Sequence, residues 1–281
     1  MSAPAPPTPS LPLDRLEEAE NIDDVLRNVD QIIGWSINAE SHLGYFAVVY
    51  KRVTLAIRKA INEGVFDDRR RVEELDVVFA QRYFNALNAY FYPDEHQGPT
   101  LPWDVAFVGD QERQAIILQH LVSAFNAHIT FDLGMACFTI APHSLNTLEN
   151  DFNRVNAVLC SQIPGVVDVM QRLSPELRWT RRLIPDELGV LDRLLMKLRK
   201  GAWLFAIYMA VHPENARQKR VNQAAWTAAL GAWYLQPPAR LTPLPVLVRA
   251  IAKHESDDVA SNIQALEGIS NRPDKLNEAY L

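Results

Sequence analysis

The stretch from Gln111 to Thr139, QERQAIILQHLVSAFNAHITFDLGMACFT, constrains this chain most. It is long, mostly apolar and free of proline, so it reads as a central helix over residues 110–140, with Asp110 placed to cap it and Pro142 to end it. Yet His120, Asn126, His128 and Asp132 lie inside its apolar run. A core helix excludes such groups unless they are paired or used.

The remaining pattern is helical scaffold. Apolar residues recur at steps of three and four through Val25, Val29, Ile32 and Ile33, and again from Tyr45 to Ile57. Asn21 or Asp23 is placed to cap the first of these helices, Gly44 interrupts the series, and Gly64 is a C-cap. Asp67 or Asp68 starts a third helix that ends before Pro93. Asp104 is expected in a short connection between Trp103 and Gly109. Later helices are expected from Asn146 to Met170 with a break at Pro164-Gly165, and from Asp186 to Val211. Two more follow: Glu214 to Leu235, burying Ala225, Trp226, Ala229, Leu230 and Trp233, and Pro245 to Leu266. No segment alternates as a strand would, and no repeat period is evident. The expected class is all-α: a single irregular bundle of about eight to ten helices around the central one. Residues 1–20 are expected to form a disordered Pro/Ala-rich tail, residues 21–270 one helical domain, and residues 271–281 a polar tail.

Composition narrows the partners. The formal net charge is −6, so the overall field does not favour nucleic acid or an anionic membrane. The runs Arg69-Arg70-Arg71 and Arg181-Arg182 are short and read as solvated helix faces or caps. The start, MSAPAPPTPSLPLDRL, is not a secretory signal, and the apolar run Gly201 to Val211 is too short to span a bilayer. A cytoplasmic location follows as the expectation. Cys137 and Cys160 are the two cysteines; they make no disulfide framework and read as buried free thiols.

On an α-helix, His128 and Asp132 are about 40° apart around the axis. Such a pair can hold a divalent metal (Zn, Mn or Fe), or the aspartate can orient the imidazole as a general base. His120 sits about 80° around from His128 and roughly 12 Å along the axis, so it serves another part of the site. Asn126 lies on a different face and braces a neighbouring helix. Asp76, with Tyr83 two turns later on the same side of the third helix, can add groups that bind substrate. His96, His212 and His254 are expected at the surface. Phosphate-cradling glycine loops, H-E-x-x-H, G-x-S-x-G, paired E-x-x-H and Cys-x-x-Cys motifs are all absent from the sequence.

The phrases Leu43-Gly44-Tyr45-Phe46-Ala47-Val48-Val49-Tyr50, Leu75-Asp76-Val77-Val78-Phe79-Ala80-Gln81-Arg82-Tyr83, Gln119-His120-Leu121, Asn126-Ala127-His128-Ile129-Thr130-Phe131-Asp132-Leu133-Gly134 and Asp151-Phe152-Asn153-Arg154-Val155-Asn156 resemble the DUF5995 family of helical proteins. The resemblance covers about Ile33 to Val211. It implies that Asp76, Arg82, His120, Asn126, His128 and Asp132 belong to the family pattern, and that His42 does not. It implies no activity. A fainter likeness is to the helical zinc-dependent phospholipase C and P1-nuclease fold, which also uses His-x3-Asp on long helices; the N-terminal ligand and several histidines of that pattern are lacking here.

Three readings follow. The first is an enzyme with His128, Asp132 and His120 as catalytic groups and Asp76, Arg82, Tyr83 and Asn126 contacting a small, apolar substrate; a metal on His128 and Asp132 would make it a hydrolase. The second is a metal-free cyclase or isomerase using histidine acid/base groups. The third is a non-catalytic binding or scaffold protein with structural core histidines.

Overall fold

Each helix starts and stops for a local reason. A computed structural model describes residues 12–108, 115–179, 186–238 and 244–280; the expected cap Asp110, and Arg181-Arg182, lie outside them. Among the described residues there are ten α-helices and no strand, which is the all-α bundle read from the periodicity. Helix α1 (Ile22–Ala39) is opened by Asn21, whose side chain accepts from the Asp23 and Asp24 amides, and Glu40 closes it in the left-handed region. Gly64, at φ 74°, turns the chain after α2 (Leu43–Asn62). Asp68 caps α3 (Arg69–Phe91) by accepting from the Arg71 amide. The central helix α5 runs from Ile117 to Ile140, α6 spans Leu145–Leu173, and α7 (Glu187–Val211) starts on an Asp186 cap.

Several expectations are corrected. Gly44 does not interrupt anything; it lies in the first turn of α2. A Cβ there would sit 2.5 Å from Ile263 Cδ1 and 2.7 Å from Ser36 Cβ, so glycine allows three helices to meet. The stretch around Asp104 is not a connection but α4 (Leu101–Val108), with Pro102 in a first turn where its missing N–H costs nothing. Helix α6 runs unbroken past Pro164. Gly165 leaves room there for the Arg52 guanidinium, 2.5 Å from where a Cβ would lie. The expected last helix is two, α9 (Leu244–Ala252) and α10 (Val259–Ser270), and Asp258 caps the second. The separation frees Glu255 to accept from the Ile117 amide at the start of α5.

Helix α8 (Ala216–Leu235) buries a different face from the expected one. Thr227, Ala228, Gly231 and Leu235 are buried, whereas Trp226 and Trp233 are 62% and 45% exposed. Small residues let α8 approach α5 closely: a Cβ on Gly231 would lie 3.4 Å from Ser123 Oγ.

Residues 12–20, expected within a disordered tail, pack on the bundle. Leu13, Leu16 and Ala19 are buried, and the backbone of Leu16 is held in both directions by the Asn88 side chain. The polar segment after α10 is also anchored: Asp274 pairs with the buried Arg52, and the Asp274 amide donates to Gln162.

Helix α5 is long and apolar enough to cross a membrane by length and composition, and 78% of that window is buried inside the bundle. Its first half packs with α2, α3 and α4 in one apolar cluster, and its second half with α6 and α7 in another. Asn126, His128 and Asp132 fall in the segment that joins these two halves.

Candidate functional site

The middle of α5, Asn126–Asp132, is wound as a π-helix: the Leu133 amide bonds to the carbonyl of His128, five residues back. Such segments are rare and widen one turn of a helix. Here the widened turn carries both His128 and Asp132, and it changes the phase of the two α-helical halves relative to each other. Angles counted along a uniform α-helix therefore fail across it.

His128 Nδ1 lies 3.3 Å from Asp132 Oδ2. The same oxygen accepts from Trp103 Nε1 at 2.6 Å, and Asp132 Oδ1 accepts from Arg82 Nε at 2.9 Å. All three donors come from different helices, α5, α4 and α3, and converge on one fully buried carboxylate. Burial alone would raise the Asp132 pKa, but Arg82, His128 and Trp103 outweigh it and hold the carboxyl below its usual range. Burial, with the Arg82 charge, outweighs Asp132 and pushes His128 below its usual value. The pair at neutral pH is a carboxylate beside a neutral imidazole. Because an ionised carboxylate only accepts, the imidazole proton is assigned to Nδ1 and the lone pair to Nε2.

That Nε2 is buried and has no hydrogen-bond partner. The imidazole is stacked on Phe79, with ring centroids 3.6 Å apart and planes at 10°, and it meets Tyr50 edge-on at 5.1 Å. These contacts fix the ring while leaving Nε2 unused.

His128 lines a cavity of ≈ 380 Å³ bounded mainly by leucine, valine and isoleucine from α2, α3, α5, α6 and α7. The volume falls in the range of small-molecule sites, which combine apolar walls with a few polar groups. Tyr50, Asp76 and Asn126 also line it. Asp76 Oδ2 and Asn126 Oδ1 are buried without hydrogen-bond partners. Burial, with the nearby Glu73 charge, pushes the Asp76 carboxyl up to about 7. Burial and then the Asp76 charge drive the Tyr50 hydroxyl well above its usual value. Native structures leave few polar atoms unpaired, and a cluster of them around one void marks a place for a ligand.

The cavity residues fall within one matched region. A family of unknown function, DUF5995, matches residues 22–238. The chain belongs to this family. No curated protein and no solved structure matches it. The DUF5995 region takes in α1 to α8 and therefore every residue of the cavity and of the Asp132 cluster.

Of the expected site residues, Asp76, Asn126 and His128 share the cavity. Asn126 also braces α8, donating to the Thr227 carbonyl at 2.7 Å. Asp132 and Arg82 are behind His128 and do not line the cavity. Tyr83 is turned to the other side of His128, where it stacks on Trp103 at 4.9 Å. His120 is not part of the cavity either: it stacks on His42 at 4.4 Å beside a void of ≈ 20 Å³. Among the described residues no three of His, Cys, Asp and Glu form a metal-holding group. Cys137 and Cys160 are buried free thiols whose pKa values burial raises to about 12 and about 11. His96, His212 and His254 are exposed, as expected.

Sequence reasoning missed Tyr50, Trp103 and Arg199 as site residues. Trp103 carries no local signal, because its partner is on another helix. Tyr50 sits in a phrase that reads as plain core. Arg199, which also lines the cavity, could have been suspected: it is an arginine on the helix face of Leu195, Ala202 and Ala206.

Proposed function

We propose that this chain is a metal-independent acid/base enzyme, an isomerase or cyclase, that acts on an apolar small molecule held in the cavity. The observation that carries the reading is the oriented His128: Nδ1 faces a charged Asp132, and Nε2 is unbonded in the wall of an apolar void. A base held this way, with its pKa below the usual histidine value, carries a lone pair at neutral pH. Nε2 would remove a proton from a ligand carbon. Asp132 would stabilise the imidazolium that results, as an orienting carboxylate does in other acid/base sites. Asp76, whose carboxyl keeps its proton up to about pH 7, would deliver a proton at a second carbon, and the reverse transfers through solvent would restore both groups. The balance is a shift of one double bond or closure of one ring, with no oxidant needed. Arg82 and Trp103 are positioning residues that fix Asp132.

Metal-assisted hydrolysis through His128 and Asp132 has less support. Both Asp132 oxygens are engaged by donors, and a metal would have to displace Arg82 or Trp103. The non-catalytic reading keeps the cavity and omits the proton transfer.

The test does not require a known substrate. Purified protein is incubated in D2O with an apolar metabolite extract, and deuterium incorporated at carbon is followed by mass spectrometry. Wild type should label a compound that folded His128→Ala does not. No labelling by wild type, or equal labelling by the variant, would count against the proposal.

A further inference from the structure

Arg199, on α7, lines the same cavity and is 2% exposed. Its Nε donates to Asn156 Oδ1, and its guanidinium carbon lies 4.4 Å from the centroid of the Phe152 ring. One terminal nitrogen, Nη2, has no hydrogen-bond partner. Among the described residues, no carboxylate forms an ion pair with it. The ionisable groups that act on it are Cys137 and Cys160, whose thiols are neutral at physiological pH. Burial lowers the Arg199 pKa only to about 10, so the group stays charged. A buried guanidinium without a counter-charge is costly, and proteins rarely leave one so.

Most of the remaining cavity wall is apolar, with polar groups at Tyr50, Asp76, Asn126, His128, Gln162 and Gln171. Its ≈ 380 Å³ would hold roughly a dozen waters, each needing two to four polar partners, more than these few groups supply. Leu118 and Leu194 line the cavity and are 37% and 49% exposed, so an apolar body can extend from the interior towards solvent between α5 and α7.

We infer that the natural occupant is an amphipathic carboxylic acid, an apolar chain or ring system with one carboxylate, whose headgroup pairs with the free Nη2 of Arg199. A carboxylate suits this guanidinium, whose Nε is already held by Asn156. Cys137, which acts on Arg199, lies on α5 about two turns beyond His128. The anchored headgroup is thus remote from the carbon presented to His128. The inference rests on the cavity of the proposed function but not on its proton transfer.

The test compares dodecanoate, dodecanol and methyl dodecanoate binding to delipidated full-length protein, by displacement of a fluorescent fatty acid. Wild type should prefer the acid by about tenfold or more. Arg199→Met should lose that preference while binding the alcohol as wild type does, and Arg199→Lys should keep part of it. His128→Ala should keep all of it. Equal wild-type affinities for acid and alcohol, or no saturable binding of either, overturn the inference, and this wild-type ratio decides the matter should Arg199→Met not fold. Loss of the preference in His128→Ala also overturns it, because the headgroup would then sit at the imidazole. A protein that shows the preference but no deuterium labelling would contradict the proposed reaction and leave the ligand class intact.

Discussion

The indole N–H of Trp103 donates a 2.6 Å hydrogen bond to the same Asp132 oxygen that faces His128 Nδ1. A short helix that looks like a connection in the sequence thereby holds the orienting carboxylate of the central helix. Trp103→Phe keeps an aromatic ring and removes the donor, and it also leaves a cavity where the rest of the indole packs, which adds to the loss. Loss of a hydrogen bond to a buried charge should cost about 1.5–3 kcal/mol, measured by urea denaturation. It should also raise the His128 pKa, because Asp132 is freer to pair with an imidazolium. Unchanged stability would mean the contact contributes nothing.

Asp132→Asn should be more damaging than Trp103→Phe. It leaves the Arg82 guanidinium without its counter-charge and replaces an acceptor-only group with one that also donates towards Arg82. Arg82 is partly exposed, so the cost is below that of a fully buried pair, about 2–4 kcal/mol. Asp132→Asn combined with Arg82→Met should recover part of the loss, and a double-mutant cycle reads the coupling.

Asp76 gives the protein an inverse pH dependence. Its folded pKa, about 7, lies above the unfolded carboxylate value near 3.9. Between those values the folded state binds more protons, so Asp76 stabilises at low pH and that contribution is lost as pH rises from about 4 to about 7. His128 acts oppositely, because its folded pKa is lowered: stability is lost as pH falls below about 6.5. Asp76→Asn should therefore be more stable than wild type by about 1–3 kcal/mol at pH 8, with the difference vanishing near pH 4. Chemical denaturation at the two pH values checks this; a pH-independent difference would show that Asp76 does not titrate this way.

Glycines on α1 and α5 should respond in opposite senses to alanine. A Cβ on Gly134 would meet Phe205 Cδ1 at 2.6 Å and the Ala202 carbonyl oxygen at 2.7 Å. The carbonyl cannot swing aside, so Gly134→Ala should push α5 and α7 apart and destabilise by about 1–3 kcal/mol. Gly34 has nothing within 4 Å of its Cβ position, and Gly34→Ala should stabilise α1 by about 0.5–1 kcal/mol. Melting temperatures moving in the same direction would contradict this packing.

What the sequence made legible was local. The caps Asn21, Asp68 and Asp186, the turn at Gly64 and the apolar periodicity of α1 to α3 follow from chemistry within a few residues, and the polar groups of α5 stand out against their neighbours. Long-range relationships were hidden. Gly44 looks like a breaker, yet its contact is Ile263 on α10. Trp226 and Trp233 look like core by residue type, but the small side chains of α8 decide which face packs. The π-wound turn altered which groups share a side, while His120, on the α-helical half before it, stacks on His42. Tyr50, Trp103 and Arg199 gain meaning only from what they meet, and the sequence does not carry those meetings.

The central claim is that Asp132 holds His128 with Nδ1 protonated and Nε2 free in the cavity wall. The ¹⁵N chemical shifts of the His128 imidazole test it directly, assigned by comparison with His128→Gln and followed from pH 5 to pH 8. The account predicts a neutral ring with its proton on Nδ1 that stays neutral below the usual histidine pKa, and an Nε2 signal that moves when the cavity is filled. A proton on Nε2, or an imidazolium persisting above pH 7, would contradict it.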